Sequence, residues 1–305
     1  MIVSILIFHV LLPLFFVLRL WKGSHGSRLR WGVSLFAAGS YLAFAFLIGV
    51  WYWTGYPLRF VWPLLLLGAA AASWRRVRSQ PLPVLQRRVA WVDTGIQAVV
   101  GGIFLTLAIV AMRGYGVDEK AIDLTFPLRD GVYVVGQGGN SSILNGHQTV
   151  RPQRHAVDIV RLNRWGTRAR GLYPADPARY AIFGDTIFSP CTGTVADSRD
   201  GLPDLSPPAR DEENVAGNYV ALECGGAAVL LAHFRSGSLR VGTGDKVATG
   251  QLLGQVGNSG NTSEPHLHIH VERAPYGGER STRPGLPMRF DGRFLVRNSV
   301  VFSRP

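Results

Sequence analysis

Glu264-Pro265-His266-Leu267-His268-Ile269-His270-Val271 is the stretch whose reading decides the rest of the chain. Successive side chains of a β-strand point to opposite faces, so His266, His268 and His270 project to one side while Leu267, Ile269 and Val271 pack on the other. A lone histidine on such a face is usually hydrogen-bonded or in solvent. Three in alternation point instead to a cation, a proton relay or a bound substrate, because neutral imidazoles crowded together gain little otherwise.

Upstream of this strand the charge is divided unevenly. Residues 1–113 hold 11 Lys or Arg against a single acid, Asp93, a net of +10, whereas residues 114–305 carry a net of +2. A formal charge of +12 would ordinarily suggest nucleic acid. Here the bases lie between apolar runs, where they set membrane topology, and nucleic acid is excluded as a partner.

Those runs predict an N-terminal α-helical transmembrane bundle of about four helices, over about 2–18, 31–53, 60–74 and 89–112. The first lacks a basic n-region and an A-x-A-like cleavage site, so it reads as a span rather than a removed signal peptide. Trp51, Tyr52 and Trp53 are placed like an interfacial aromatic belt. Arg19, Lys22, Arg28 and Arg30 lie between the first and second helices, and Arg75, Arg76, Arg78, Arg87 and Arg88 between the third and fourth; the intervening connection has only Arg59. The positive-inside rule puts both basic loops in the cytoplasm, with the N-terminus and everything after Met112 outside. His9, Asp93 and Gln97 read as helix-packing or interfacial groups.

From about residue 114 the pattern changes to short β-type runs broken by Gly, Pro, Asn and Asp, predicting a mainly-β, antiparallel domain over 114–305 with its core at about 131–272. Strands are expected at 131–135, 156–160, 186–188, 193–196, 219–223, 227–233, 251–256 and 266–272, and Gly136-Gln137-Gly138-Gly139-Asn140-Ser141 reads as a flexible connection. Asp197 to Gly217, with three prolines and the run Asp211-Glu212-Glu213, is expected to be a long loop rimming a groove. Cys191 and Cys224 both fall in this outside half, each next to a predicted strand, so an intramolecular disulfide is expected in place of two buried thiols. Two cysteines are too few for a thiolate zinc site.

Asp158 stands in Arg154-His155-Ala156-Val157-Asp158-Ile159 and His233 in Leu231-Ala232-His233-Phe234; Gly242-Thr243-Gly244-Asp245 through Gly250-Gln251-Leu252-Leu253-Gly254 and Gly257-Asn258-Ser259-Gly260 then lead to the histidine strand. In this order the residues from about Gly131 to Val271 resemble the M23 family of zinc metallopeptidases, the lysostaphin and LytM-type peptidoglycan endopeptidases. The turn Gly244-Asp245-Lys246-Val247 with Gly250-Gln251 is also similar to the hairpin of lipoyl and biotinyl carrier domains, but no modifiable lysine follows at a tip, and histidines do.

The M23 resemblance implies a compact antiparallel β fold with an open groove and one Zn²⁺ per chain. Carried over by motif, it makes His266 and His233 catalytic, and His268 and Asp158 metal ligands. The family's commonest H-x-x-x-D spacing would put the third ligand at Arg154, which has no lone pair to give a metal. His155 and His147 are the alternatives. His147 is favoured, because a branch of the family that this sequence resembles has an N-x-H-type segment ahead of such a strand, and because His155 would lean away from Asp158 on an extended segment. His270 stands where an acidic residue is often found; it reads as a partner of His268, a substitute ligand or an exposed side chain.

Together these readings imply a multi-pass protein of the bacterial inner (cytoplasmic) membrane with a periplasmic or extracellular zinc endopeptidase acting on peptidoglycan peptides. A degenerate M23 module that binds such peptides or a partner and regulates another hydrolase is the alternative, kept open by the displaced third ligand.

Overall fold

A helix that contains proline must find another partner for the carbonyl four residues earlier. In the first helix, α1 (Ile2–Lys22), that residue pair is Pro13 and His9. The helix widens into a π turn over Ile7–Leu11, and the indole Nε1 of Trp62 donates to the freed His9 carbonyl at 2.9 Å. The computed structural model that shows this describes residues 2–82, 88–117, 120–278 and 281–304, so Arg87 of the second basic loop lies outside the described residues. Contacts within the chain fall into two units, Met1–Met112 and Arg113–Pro305.

Three more helices follow α1: α2 (Arg28–Ile48), capped by Ser27 whose hydroxyl accepts from Arg30 N, α3 (Leu58–Val77) and α4 (Arg88–Arg113). Tyr41, Leu20, Ala37, Trp51 and Trp62 are buried at their centre. The aromatic run differs from expectation. The second helix stops at Ile48, before Gly49, and Trp51–Trp53 form a separate 3-10 turn whose rings are buried in the unit, Trp51 to 1% exposure, rather than forming a belt.

Among the described residues three helices are long and apolar enough to cross a membrane: Ile2–Lys22, Arg28–Ile48 and Trp91–Arg113. The expected third span is a helix but is not among them, since Arg59, Arg75 and Arg76 dilute its apolar run. It nevertheless runs the length of the unit beside its neighbours. Near its start Arg59 donates to the Phe46 carbonyl and stacks on the Phe46 ring at 4.0 Å; at its far end Ser73 accepts from the Trp31 indole.

The second unit is built on strands β1 (Ile122–Leu124), β2 (Gly131–Gln137), β3 (Val157–Arg161), β4 (Thr186–Phe188), β5 (Gly193–Arg199), β6 (Asn218–Cys224), β7 (Ala227–Phe234), β8 (Lys246–Val247), β9 (Leu252–Gln255), β10 (Leu267–Arg273), β11 (Gly285–Leu286), β12 (Met288–Phe290) and β13 (Val300–Ser303). Nine of them form one antiparallel sheet in the order β13-β2-β3-β10-β7-β6-β5-β8, with β11 beside β10. β4 and β9 pair separately, and β1 with β12 in parallel.

Alternation divides this sheet into two chemistries. Val157, Ile159, Val229, Leu231, Leu267 and Ile269 enter one apolar core, whereas Asp158, Ala232, His268 and His270 face the other way. Every expected strand is present. The segment taken as flexible after Val135 instead continues β2 through a bulge to Gln137, because Gly136 takes the extra position while the ladder resumes with Gln137 opposite Asp158. Cys191 and Cys224 form a disulfide tying the approach to β5 to the end of β6.

Candidate metal centre

β10 and β3 set the centre by register. His268 and Asp158 are directly opposed in the antiparallel pair, so both side chains rise from one face, and His268 Nδ1 lies 2.9 Å from Asp158 Oδ1. The third member arrives from a loop. Asn145 caps a 3-10 turn, Gly146–Thr149, by accepting from the backbone N–H of His147 at 3.1 Å, and its own amide donates to the carbonyls of Ala156 and Gly139. Fully buried, Asn145 pins the loop to the start of β3 and brings His147 Nε2 to 2.9 Å from Asp158 Oδ2. Candidate ligand atoms of His147, Asp158 and His268 all lie within 4.8 Å of one another.

His155 stays outside this group. It is buried at a turn, with Arg154 before it in helical geometry, so the alternation assumed for an extended segment starts only at Val157. His270 is buried as well, and its Nδ1 lies 3.0 Å from His268 Nε2. Of the three readings of His270, the structure places it as the hydrogen-bond partner of His268.

His233 reaches the centre by breaking the strand rule. Ala232 opposes His268 and shares its face, so His233 should turn into the apolar core. It is instead the extra residue of a bulge: Tyr219 pairs Ala232, Asn218 pairs Phe234, and His233 takes a left-handed φ of 67°. Its ring sits 4.9 Å from that of His266, and Phe234 returns to the core. Ligand atoms of His233, His266 and His268 form a second group within 4.8 Å.

Two carbonyls fix the tautomers of this pair. A carbonyl only accepts, so His233 Nδ1–H donates to Ser259 O at 2.8 Å and His266 Nδ1–H to Glu264 O at 2.9 Å, which makes Nε2 the acceptor in the neutral form of each ring. Glu264 is itself held by Arg168, whose Nε donates to the carboxylate at 2.7 Å from a fully buried position. Burial, followed by the neighbouring His266 and His268, holds the His233 imidazole well below the ordinary histidine range, hence neutral. Burial opposes ionisation of Asp158, but the charges of His147 and His266 and hydrogen bonds from His147 and His268 outweigh it and hold the carboxyl well below its usual range.

The centre lies in a groove of about 380 Å³ walled by Gln153, Arg210, Asn261 and Ser281. Two imidazoles and one carboxylate are the donor set of a catalytic zinc site with an open position, and both cysteines are spent in the disulfide. Fold and groove thus define a β-sheet domain with a histidine and carboxylate cluster able to hold a metal, beside a second histidine pair. Residues 179–282, within this unit, match the family model of peptidase family M23; the match takes in His233, His266 and His268 and begins after His147 and Asp158.

Structural comparison gives more distant likenesses. The chain is similar to a putative peptidase M23 from Pseudomonas aeruginosa at 26% identity, covering 30% of this chain and 35% of that one with a TM-score of 0.23. For a zinc-containing peptidase from Vibrio cholerae the identity is 20%, the coverage 48% of each chain and the TM-score 0.24. For the deep-sea M23 metalloprotease pseudoalterin the values are 13%, 60% of this chain and 99% of that one, and 0.33. The chain therefore spans less than half the length of the first two, and TM-scores this low define neither fold nor function. No curated protein matches the chain.

Asn145, Ser259 and Arg168 escape a reading of the sequence. Each acts through backbone or carboxylate partners brought close only by folding; the Asn145-Gly146-His147 spacing is the single local signal.

Proposed function

We propose that the outer unit is a zinc endopeptidase that hydrolyses peptide bonds in peptidoglycan, held at the bacterial cytoplasmic membrane by the helical unit, and that His147, Asp158 and His268 hold the metal. The convergence of these three donors within 4.8 Å, in an open groove beside His233 and His266, carries this reading. Zinc bound there would polarise the scissile carbonyl and make an ionised water available near neutral pH. The remaining chemistry belongs to the histidine pair. With Nδ1 committed to backbone carbonyls, the Nε2 lone pairs of His233 and His266 face the groove, so one accepts a proton from the attacking water and returns it to the leaving amine nitrogen. Before passing that proton on, the same Nε2–H donates to the oxygen on which negative charge develops.

The membrane assignment rests on the outer surface of the helices, where Leu64, Leu67, Val92 and Val99 are each more than 60% exposed. The two basic loops share one end of the unit: Arg28 N donates to Pro81 O and Leu29 N to Leu82 O. That end is cytoplasmic by the positive-inside rule, which leaves the peptidase outside.

The test is incubation of the purified full-length protein, zinc-loaded, with isolated peptidoglycan, followed by mass spectrometry of the released peptides. New amino termini that fail to form with His266→Ala are expected. Stoichiometric zinc without turnover would replace the enzyme by a peptide-binding module, and no bound zinc would remove both the metal site and its chemistry.

A further inference from the structure

At the shared end of the helical unit positive charge is in surplus. Arg19, Lys22, Arg28 and Arg30 meet Arg75, Arg76 and Arg78 there, while Asp93 is the unit's single acid. Asp93 is already committed: Arg19 Nη2 lies 2.6 Å from both of its oxygens, and Gln97 Nε2 donates at 2.8 Å. Beside this pair a cavity of about 120 Å³ opens, lined by Arg19, Ser24, His25, Arg30, Ser34 and Gln97 together with Gly23 and Asp93. A single water needs only about 15 Å³ on such a measure, so a tetrahedral oxyanion fits.

Arg30 makes the cavity a site rather than a gap between helices. Its Nε is buried without a hydrogen-bond partner, and among the described residues no carboxylate pairs with its guanidinium. The other lining groups are tied down. Ser34 donates to Gln97 Oε1 at 2.7 Å, and His25 Nε2 donates to the Leu20 carbonyl at 3.2 Å. The result is a fixed polar wall facing a guanidinium whose Nε has no partner, a planar donor group that suits phosphate.

The geometry points to a phosphate-binding site in which Arg30 takes the phosphate of an anionic lipid headgroup, with the Ser24 hydroxyl as a second donor. The source follows from position. The cavity lies at the end where the apolar helices give way to basic loops, the level at which lipid phosphates lie and anionic lipids are attracted to clustered arginines. Arg19 with Asp93 forms a neutral floor, so the ligand's charge is met by Arg30 and not repelled by the acid.

Native mass spectrometry of the full chain, released from micelles holding equal amounts of phosphatidylglycerol and phosphatidylcholine, tests this. One phosphatidylglycerol retained per chain is expected. Arg30→Gln should lower retention by about tenfold, the loss of one charge-assisted contact. Arg30→Lys should retain an intermediate amount, and Arg75→Gln, which removes the same charge from the exposed surface, should leave retention unchanged. Equal losses in Arg30→Gln and Arg75→Gln, or no lipid on the parent, would overturn the site. Inorganic phosphate that displaces the lipid at equal concentration would overturn the headgroup as its occupant.

Discussion

At the scale of single residues, the proposed reading separates side chains that hold a cation from side chains that act on substrate. Removing His147, Asp158 or His268 by alanine should abolish stoichiometric zinc and activity together, measured by metal analysis and peptide release. His266→Ala or His233→Ala should keep the metal and lower turnover by about 10²- to 10⁴-fold, the usual worth of a positioned acid or base. His155→Ala should bind zinc like the parent; if it lost zinc while His147→Ala kept it, the assigned ligand set would be wrong. Asn145→Ala tests positioning. It removes three hydrogen bonds at a fully buried site, so it should cost about 1–3 kcal/mol and weaken zinc about 10- to 100-fold, as loss of an outer partner does.

His147 also carries a pH signature. Burial alone would depress its imidazole, but the Asp158 charge and hydrogen bonds with Asp158 and Gln153 outweigh it and raise it above the ordinary 6.5. A histidine raised on folding stabilises the protein fully below its unfolded value, and the contribution is lost as pH rises through the folded one. In chelator, the Tm advantage of the parent over His147→Gln should therefore shrink as the pH rises above about 6.5. An advantage that grew with pH would mean that the pair is not His147⁺ with Asp158⁻.

Among elements, the loop entering β10 depends on an ion pair that is almost fully out of water. Arg168 has 1% and Glu264 12% of its side-chain surface exposed. Arg168→Met should destabilise the outer unit by about 3–5 kcal/mol, because it strands a buried carboxylate, and adding Glu264→Gln should recover part of that loss. A single mutant as stable as the parent in denaturant unfolding would show that the pair does not hold the loop.

The same scale shows what a sequence can disclose. β10 was legible because its alternation is complete, with histidine on one face and Leu267, Ile269 and Val271 on the other. β6 and β7 were legible as apolar runs. β8, β11 and β12, at two or three residues, are too short to carry a period, and β13 lies beyond the motif that anchored the reading. The centre followed the same division. Asp158, His233, His266 and His268 could all be matched by motif, but the turn of His233 onto the face of the others depends on a bulge created jointly with β6, which a single strand's sequence does not contain.

For the whole molecule, the proposed topology, in which all four helices cross, brings the chain back to the side on which it began. A reporter fused to the C-terminal end should be active only as a periplasmic or extracellular one. A cytoplasmic signal would remove both the topology and the wall substrate.

β10 sits in the middle of the main sheet although it is made late: His268 is hydrogen-bonded to Asp158, 110 positions earlier. Closing so long a loop is entropically costly and comes late in folding, after local hairpins such as β6 and β7. On the proposed topology, a chain emerging outside the membrane thus displays Asp158 and His233 before the strand that completes their surroundings. Until that strand inserts, a nascent protein with the proposed activity lacks His266 and His268 and could not yet cut a peptide. A version ending after Ser263 should cross the membrane yet bind no zinc.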